Sequence, residues 1–176
     1  MAYFIPGHRG LLIKGSTIAE HIVCRETDWN VKNCYDVKTL AELSDDEKEQ
    51  GVFAKLLFVD AADSARTPHY RICLQDSEIF SFIKSNSDID MLSFITFIMI
   101  HELLHIHRFS TGKADYFTCD QHEEEVCVDS LTRLFLTKHP VTGLKNIITL
   151  LDKVEAAPLY KFEIVKDQGR IAYAHL

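Results

Sequence analysis

The chain has 176 residues, 47% of them hydrophobic, and a net charge of −7 with histidine counted as neutral. This length suits one globular domain with a sizeable buried core, and the hydrophobic content argues against general disorder. Because no Lys/Arg-rich stripe is present, the composition also argues against nucleic-acid binding.

The first 50 residues give few structural signals, and we treat them as an N-terminal extension packed on a core domain of residues 51–176. Residues 15–24 predict a short helix, and the polar run 42–51 predicts a solvated helix or loop. The start of the chain lacks a basic segment followed by an apolar core and a cleavage site, so we expect no secretory signal and a cytoplasmic location.

Two short apolar segments come next and predict a pair of β-strands, at residues 52–59 and 70–74, separated by a turn-rich stretch. Helical patterns and capping residues dominate the remainder of the chain. Four helices are expected, at residues 77–85, 88–110, 120–138 and 142–155. A closing β-hairpin is expected from residues 160–165 and 170–173. The order of these elements indicates an α+β fold with a small sheet ahead of the helices.

The helix at residues 88–110 carries the most informative motif, His101-Glu102-Leu103-Leu104-His105. Residues four apart lie on one helix face, so His101 and His105 can present imidazole nitrogens to one metal ion. Glu102 would lie beside the remaining coordination position, where it could accept a proton from a metal-activated water. The apolar run before His101 is shorter than the roughly 20 residues of a membrane span, so we expect a core helix and no membrane span.

A catalytic zinc site needs a third protein ligand besides two histidines. Many donors follow the motif, and composition alone does not choose among them. These candidates are His107, Asp115, Cys119, Asp120, His122, Glu123, Glu124 and Glu125.

Helix register narrows this choice. Asp120 is the expected N-cap of the next helix, with Glu123 at the capping-box position, and Gly112 is the expected end of the preceding helix. Of the remaining acids, Glu125 has a polar companion one turn later, Asp129. A metal-ligating histidine usually donates its other ring N–H to a carboxylate, and Asp129 could accept that bond.

Glu124, His122 and Cys119 remain alternative third ligands. We expect His107 to be either a spare donor or a polar residue at the end of its helix.

The two motifs together, His101-Glu102-x-x-His105 and Glu125-x-x-x-Asp129, resemble those of the glutamate zincins, or gluzincins, over about 30 residues. The resemblance implies that His101, His105 and Glu125 bind Zn²⁺ and that Glu102 is the catalytic general base. It also implies a zincin-like fold, in which an edge strand of the small sheet holds an extended peptide. The third histidine of the metzincin motif is absent.

The function implied by this resemblance is that of a zinc-dependent metallopeptidase, a hydrolase acting on a peptide or protein substrate. The alternative is a non-catalytic, zinc-stabilised binding or regulatory module. Glu102 favours the enzyme, because a purely structural site has no use for a general base and usually closes with a fourth protein ligand such as Cys119. The five cysteines include no C-x-x-C pair and predict no disulfide framework. No pattern in the sequence predicts an oligomeric state.

Overall fold

A computed structural model describes residues 3–59, 69–140, 143–154 and 163–164 of the chain, and this part has an α+β fold. Its α-helices are α1 (Arg9–Thr27), α2 (Asp76–Ser85), α3 (Met91–Ser110), α4 (Gln121–Lys138) and α5 (Leu144–Val154). Its strands are β1 (Tyr35–Lys38), β2 (Ala54–Val59), β3 (His69–Leu74) and β4 (Glu163–Ile164). Short 3₁₀ helices cover Pro6–His8 and Leu40–Glu42. No helix among the described residues is long and apolar enough to cross a membrane.

The sheet has the strand order β1-β3-β2-β4, and the predicted pair forms its centre. β2 and β3 are antiparallel, with Ala54 opposite Leu74 and Val59 opposite His69. β1 and β4 add parallel pairings, to β3 and β2 respectively. β3 is therefore an inner strand, and β2 is covered by β4 at Lys55. Of the two predicted strands, β3 cannot be the open edge that a zincin-like fold would use to hold a peptide.

α3 is the central element of the core. Sixteen of its 20 residues are buried, and its contacts include α1, α4, α5 and β2. Its first turn is capped by Asp90, whose side chain accepts a hydrogen bond from the backbone N–H of Ser93. Because α3 is covered on so many sides, its buried polar side chains need partners on α3 itself or on a neighbouring element.

Several expected boundaries are confirmed. Asp120 caps α4 by accepting a hydrogen bond from the backbone N–H of Glu123 at 2.9 Å. Gly112 has a φ of +71° just after α3, a conformation that favours glycine where a helix ends. The expected hairpin lies outside the described residues, except for Glu163–Ile164, which pairs with β2.

The N-terminal region differs most from expectation. The predicted short helix is α1, which extends to 19 residues because its buried face packs along α3. The polar run 42–51 is not fully solvated, since Glu47 is only 2% exposed. Its carboxylate accepts hydrogen bonds from Lys38 Nζ at 3.1 Å and Arg71 Nη1 at 3.0 Å, which fastens this segment to the outer face of the sheet. α1 and β1 thus pack on the rest of the fold, and the domain boundary at residue 50 stays a prediction.

Gly15 marks the closest approach of α1 to α3. A Cβ atom at this position would lie 2.7 Å from Cγ2 of the fully buried Ile95. A Cβ atom at Gly10, in the first turn of the same helix, would have no heavy atom within 4 Å. The two glycines therefore form a matched pair, one required by packing and one not.

We expect Gly15→Ala to lower the free energy of unfolding by about 1–3 kcal/mol, because the added methyl group overpacks the contact with Ile95. Gly10→Ala should leave it unchanged or raise it by up to about 1 kcal/mol, since alanine favours the helix. Urea unfolding followed by circular dichroism measures both. Equal effects of the two substitutions would contradict this account of the helix contact.

Candidate metal centre

The structure brings three of the predicted ligands together between α3 and α4. The Nε2 atoms of His101 and His105 lie 3.1 Å apart. His101 Nε2 is 3.2 Å from Glu125 Oε2, and His105 Nε2 is 3.3 Å from Glu125 Oε1. One donor atom from each residue lies within 4.8 Å of the other two. The three side chains form a cluster that could hold a metal ion.

The spacing of these atoms suits a small tetrahedral cation. Zinc binds imidazole nitrogen and carboxylate oxygen at about 2.0–2.2 Å, so two ligand atoms of a tetrahedral ion lie roughly 3.3–3.5 Å apart. The observed separations of 3.1 Å between the two nitrogens and 3.2 Å from His101 to Oε2 of Glu125 are just below this range, and the 3.3 Å from His105 to the other carboxylate oxygen is at its lower limit. Two nitrogens and one carboxylate also match the donor set of catalytic zinc sites, whereas calcium and magnesium prefer oxygen ligands. The residues therefore fit Zn²⁺.

The electrostatics of the cluster favour positive charge between the two rings. His101 and His105 are 0% and 1% exposed, while the Glu125 side chain is 17% exposed. Burial raises the pKa of Glu125, but hydrogen bonds from the two histidines outweigh this effect and hold the pKa at about 2. Burial lowers the pKa of His101, but the carboxylates of Asp129 and Glu125 outweigh this effect and raise the pKa to about 10. A proton or a cation can supply the charge that these carboxylates stabilise.

A second carboxylate lies behind each histidine ring. His101 Nδ1 is 3.3 Å from Asp129 Oδ1, and His105 Nδ1 is 3.4 Å from Glu124 Oε1. A proton held on Nδ1 by a carboxylate leaves the Nε2 lone pair of the same ring available to a metal. Both imidazoles are thus oriented with Nε2 toward Glu125.

Glu124 is the site residue whose position the sequence did not predict. It was an alternative ligand by composition, but it is 3% exposed and lies on the outer side of His105. Arg108 donates from Nε to both carboxylate oxygens of Glu124, at 2.8 and 3.0 Å. The signal that could have found this role is Arg108 itself, a cation three residues after His105 on the ligand helix.

Glu102 is buried without a hydrogen-bond partner for its Oε1 atom among the described residues, and it is 2% exposed. Burial raises its pKa to about 7, and the nearby charges of His101 and His105 lower the pKa only in part. Buried polar atoms are nearly always paired, so an unpaired carboxylate oxygen beside a metal-type cluster needs a functional explanation.

The other donor residues lie outside the cluster. His122 and Glu123 are exposed, and Cys119 is half-buried. His107 packs on a different neighbour, with its ring centroid 5.3 Å from that of Trp29. Its Nε2 is 3.2 Å from Lys113 Nζ, and burial lowers its pKa. His107 is therefore a polar residue near the helix end and not a member of the ligand group.

Comparison of the chain with protein-family models, with curated proteins and with solved structures finds no match. The resemblance to the gluzincins consequently remains one of two short motifs, and a zincin-like fold stays a prediction. The geometry of His101, His105 and Glu125, together with the carboxylates behind the two rings, supports a metal site.

Three consecutive glutamates at the start of α4 give a matched test of this geometry. We expect about one zinc per wild-type chain, with Glu125→Gln losing most of the affinity because it removes a charged ligand. Glu124→Gln and Asp129→Asn should weaken binding about 10–100-fold, since each removes a carboxylate behind a ligating histidine. Exposed Glu123→Gln should bind as wild type does.

Competition with a chromophoric zinc chelator measures these affinities, and elemental mass spectrometry gives the stoichiometry. Wild-type affinity in Glu125→Gln would remove Glu125 from the ligand set. A wild-type chain that takes up no zinc after reconstitution would reject the metal centre altogether.

Proposed function

We propose that this chain is a zinc-dependent metallopeptidase that hydrolyses peptide bonds. The observation that carries the proposal is the buried carboxylate of Glu102, whose Oε1 atom has no hydrogen-bond partner among the described residues, next to a cluster of three ligand-type side chains. A structural zinc site is usually closed by four protein ligands, whereas a catalytic site keeps one position for water and substrate. Three donors and one base are the components that hydrolysis requires.

His101, His105 and Glu125 would hold the zinc. When bound, zinc supplies a Lewis acid that makes a water acidic near neutral pH and polarises a carbonyl oxygen. Glu124 and Asp129 keep the two imidazoles oriented, and Arg108 in turn fixes Glu124. The protein thereby fixes the ligand geometry before substrate arrives.

Glu102 moves the proton. Its carboxylate takes a proton from the water whose oxygen attacks the carbonyl carbon of the scissile amide. As the carbon–nitrogen bond breaks, the protonated Glu102 gives this proton to the leaving nitrogen, and the water oxygen remains in the new carboxyl group. Burial suits Glu102 to both steps, because a raised pKa brings its protonated and ionised forms closer in free energy.

The burial of His101 and His105 also supports a second candidate function. An ion bound between α3 and α4 would cross-link two core helices and stabilise the fold without any reaction, as in a binding or regulatory module. This alternative leaves no role for the buried carboxylate of Glu102. The two functions therefore differ in what they predict for that residue.

We expect Glu102→Gln to reduce peptide hydrolysis by about 10²–10⁴-fold, the range typical for the loss of a general base. Its zinc content should match wild type, since Glu102 is not a ligand. Cleavage of a quenched-fluorescent peptide library measures activity, and Glu123→Gln serves as the exposed acid-to-amide control. Equal turnover by Glu102→Gln and wild type would remove Glu102 from the mechanism. A zinc-loaded wild type that cleaves no peptide would favour the binding module.

A further inference from the structure

A groove lined by aromatic rings begins one helical turn beyond the candidate metal centre. Phe109 follows His105 by four residues on α3, and their rings are stacked, with centroids 5.9 Å apart and an interplanar angle of 17°. Phe109 lines a groove of about 360 Å³. The other aromatic rings of this aromatic groove belong to Phe58, Tyr70, Tyr116 and Phe117. Phe109 thus joins the two sites by ring contact with one candidate ligand, His105, although none of the three ligands lines the groove.

The inner part of the aromatic groove is built of rings that fix one another. Phe109 stacks on Tyr70 at 6.2 Å and meets Tyr116 edge-on at 5.4 Å. The Tyr116 hydroxyl donates to the backbone carbonyl of Leu56 in β2, at 3.3 Å. All three rings of this floor are less than a tenth exposed, so its shape is set by their packing in the core.

Phe117 forms the rim and is 57% exposed. The loop that presents it is held by Asp115, whose carboxylate accepts hydrogen bonds from the backbone N–H groups of Phe117 and Thr118 at 2.8 and 2.9 Å. Its ring meets Phe58 edge-on at 5.4 Å. An exposed ring held above an apolar floor is typical of a binding surface.

We propose that the aromatic groove binds an aromatic or large aliphatic side chain of the peptide substrate, adjacent to the bond that is cleaved. The proposal rests on the proposed peptidase function. Phe109 lies about 6 Å along the helix axis from His105, from a rise of 1.5 Å per residue. An extended peptide advances about 3.3 Å per residue, so the groove is in reach of a residue one or two positions from the scissile bond.

The chemistry of the lining selects the occupant. Stacked and edge-on ring contacts favour another ring or a bulky aliphatic group, and burying such a side chain also covers the exposed face of Phe117. The carboxylate of Asp115 lies in the same lining and opposes an acidic side chain by charge repulsion. The substrates we expect are therefore peptides with an apolar, preferably aromatic, residue next to the cleavage site.

Binding can be tested without hydrolysis. The full-length Glu102→Gln protein is titrated with N-acetyl-phenylalanine amide, and separately with N-acetyl-alanine amide, while ¹H–¹⁵N spectra are recorded. We expect the phenylalanine compound to shift the amide signals of Gly112 and Phe117 with at least about tenfold higher affinity than the alanine compound. Adding Phe117→Ala to the Glu102→Gln protein should abolish the preference for the phenylalanine compound over the alanine compound. Adding Val126→Ala, which truncates a 53% exposed apolar residue on α4, should preserve it.

Equal shifts with the two compounds, or shifts confined to other surfaces, would overturn the proposal.

The second readout is cleavage by the enzyme with an intact Glu102. Two peptides are compared that differ only in having phenylalanine or alanine beside the scissile bond. The ratio of their kcat/KM values should fall about tenfold in Phe117→Ala. Hydrolysis with no such preference would overturn the groove proposal alone. Selective binding without hydrolysis by wild type would overturn the peptidase function and leave a site for apolar ligands.

Discussion

The contact of α4 with the two buried imidazoles of α3 is the constraint on which the rest of the structure depends. His101 and His105 lie in the most enclosed helix of the described chain and need polar partners there. Those partners, Glu124, Glu125 and Asp129, all lie on α4. Ionic and hydrogen-bonding groups therefore add to the packing of α4 on the core, where it also buries Val128, Phe135 and Leu136, while α1 and the sheet contribute apolar side chains.

The position of these acids along α4 adds to their effect. Glu124 and Glu125 are in the first turns of the helix, just after the Asp120 N-cap. The unpaired backbone N–H groups and the dipole at a helix N-terminus favour ionised carboxylates. The N-terminus of α4 thus favours the ionised form of Glu124 and Glu125, and it also places their carboxylates beside the histidines. Glu124 does not face the other ligands, and Arg108 neutralises its negative charge through an ion pair.

Much of the site could be predicted because it depends on local helix geometry. Four-residue spacing alone places His101 beside His105, and it places Asp129 one turn beyond Glu125. The role of Glu124 depends on the angle between two helices, which one sequence does not give. The aromatic groove is even harder to predict from the sequence, because Phe58 and Phe109 are far apart in the chain and line the same groove only in the folded structure.

The fold shows the same division between local and distant determinants. The hydrophobic pattern located β2 and β3 and the helices that follow them. β1 escaped prediction because it has only four residues, and its polar side chains, such as Asp36, are satisfied by Arg71 on the neighbouring strand. Gly10 and Gly15 have low helix propensity, so the sequence pattern did not predict the start or the full length of α1. Packing on α3 overcomes this low propensity.

The burial of α3 also has a consequence for how the protein resists degradation. Backbone amides within such an element exchange with solvent mainly when the whole domain opens, and proteases cleave that open form. A cation that binds only the folded arrangement of His101, His105 and Glu125 would reduce the open population by a factor of one plus its concentration divided by its Kd. The supply of metal would then set the lifetime of the protein as well as its chemistry.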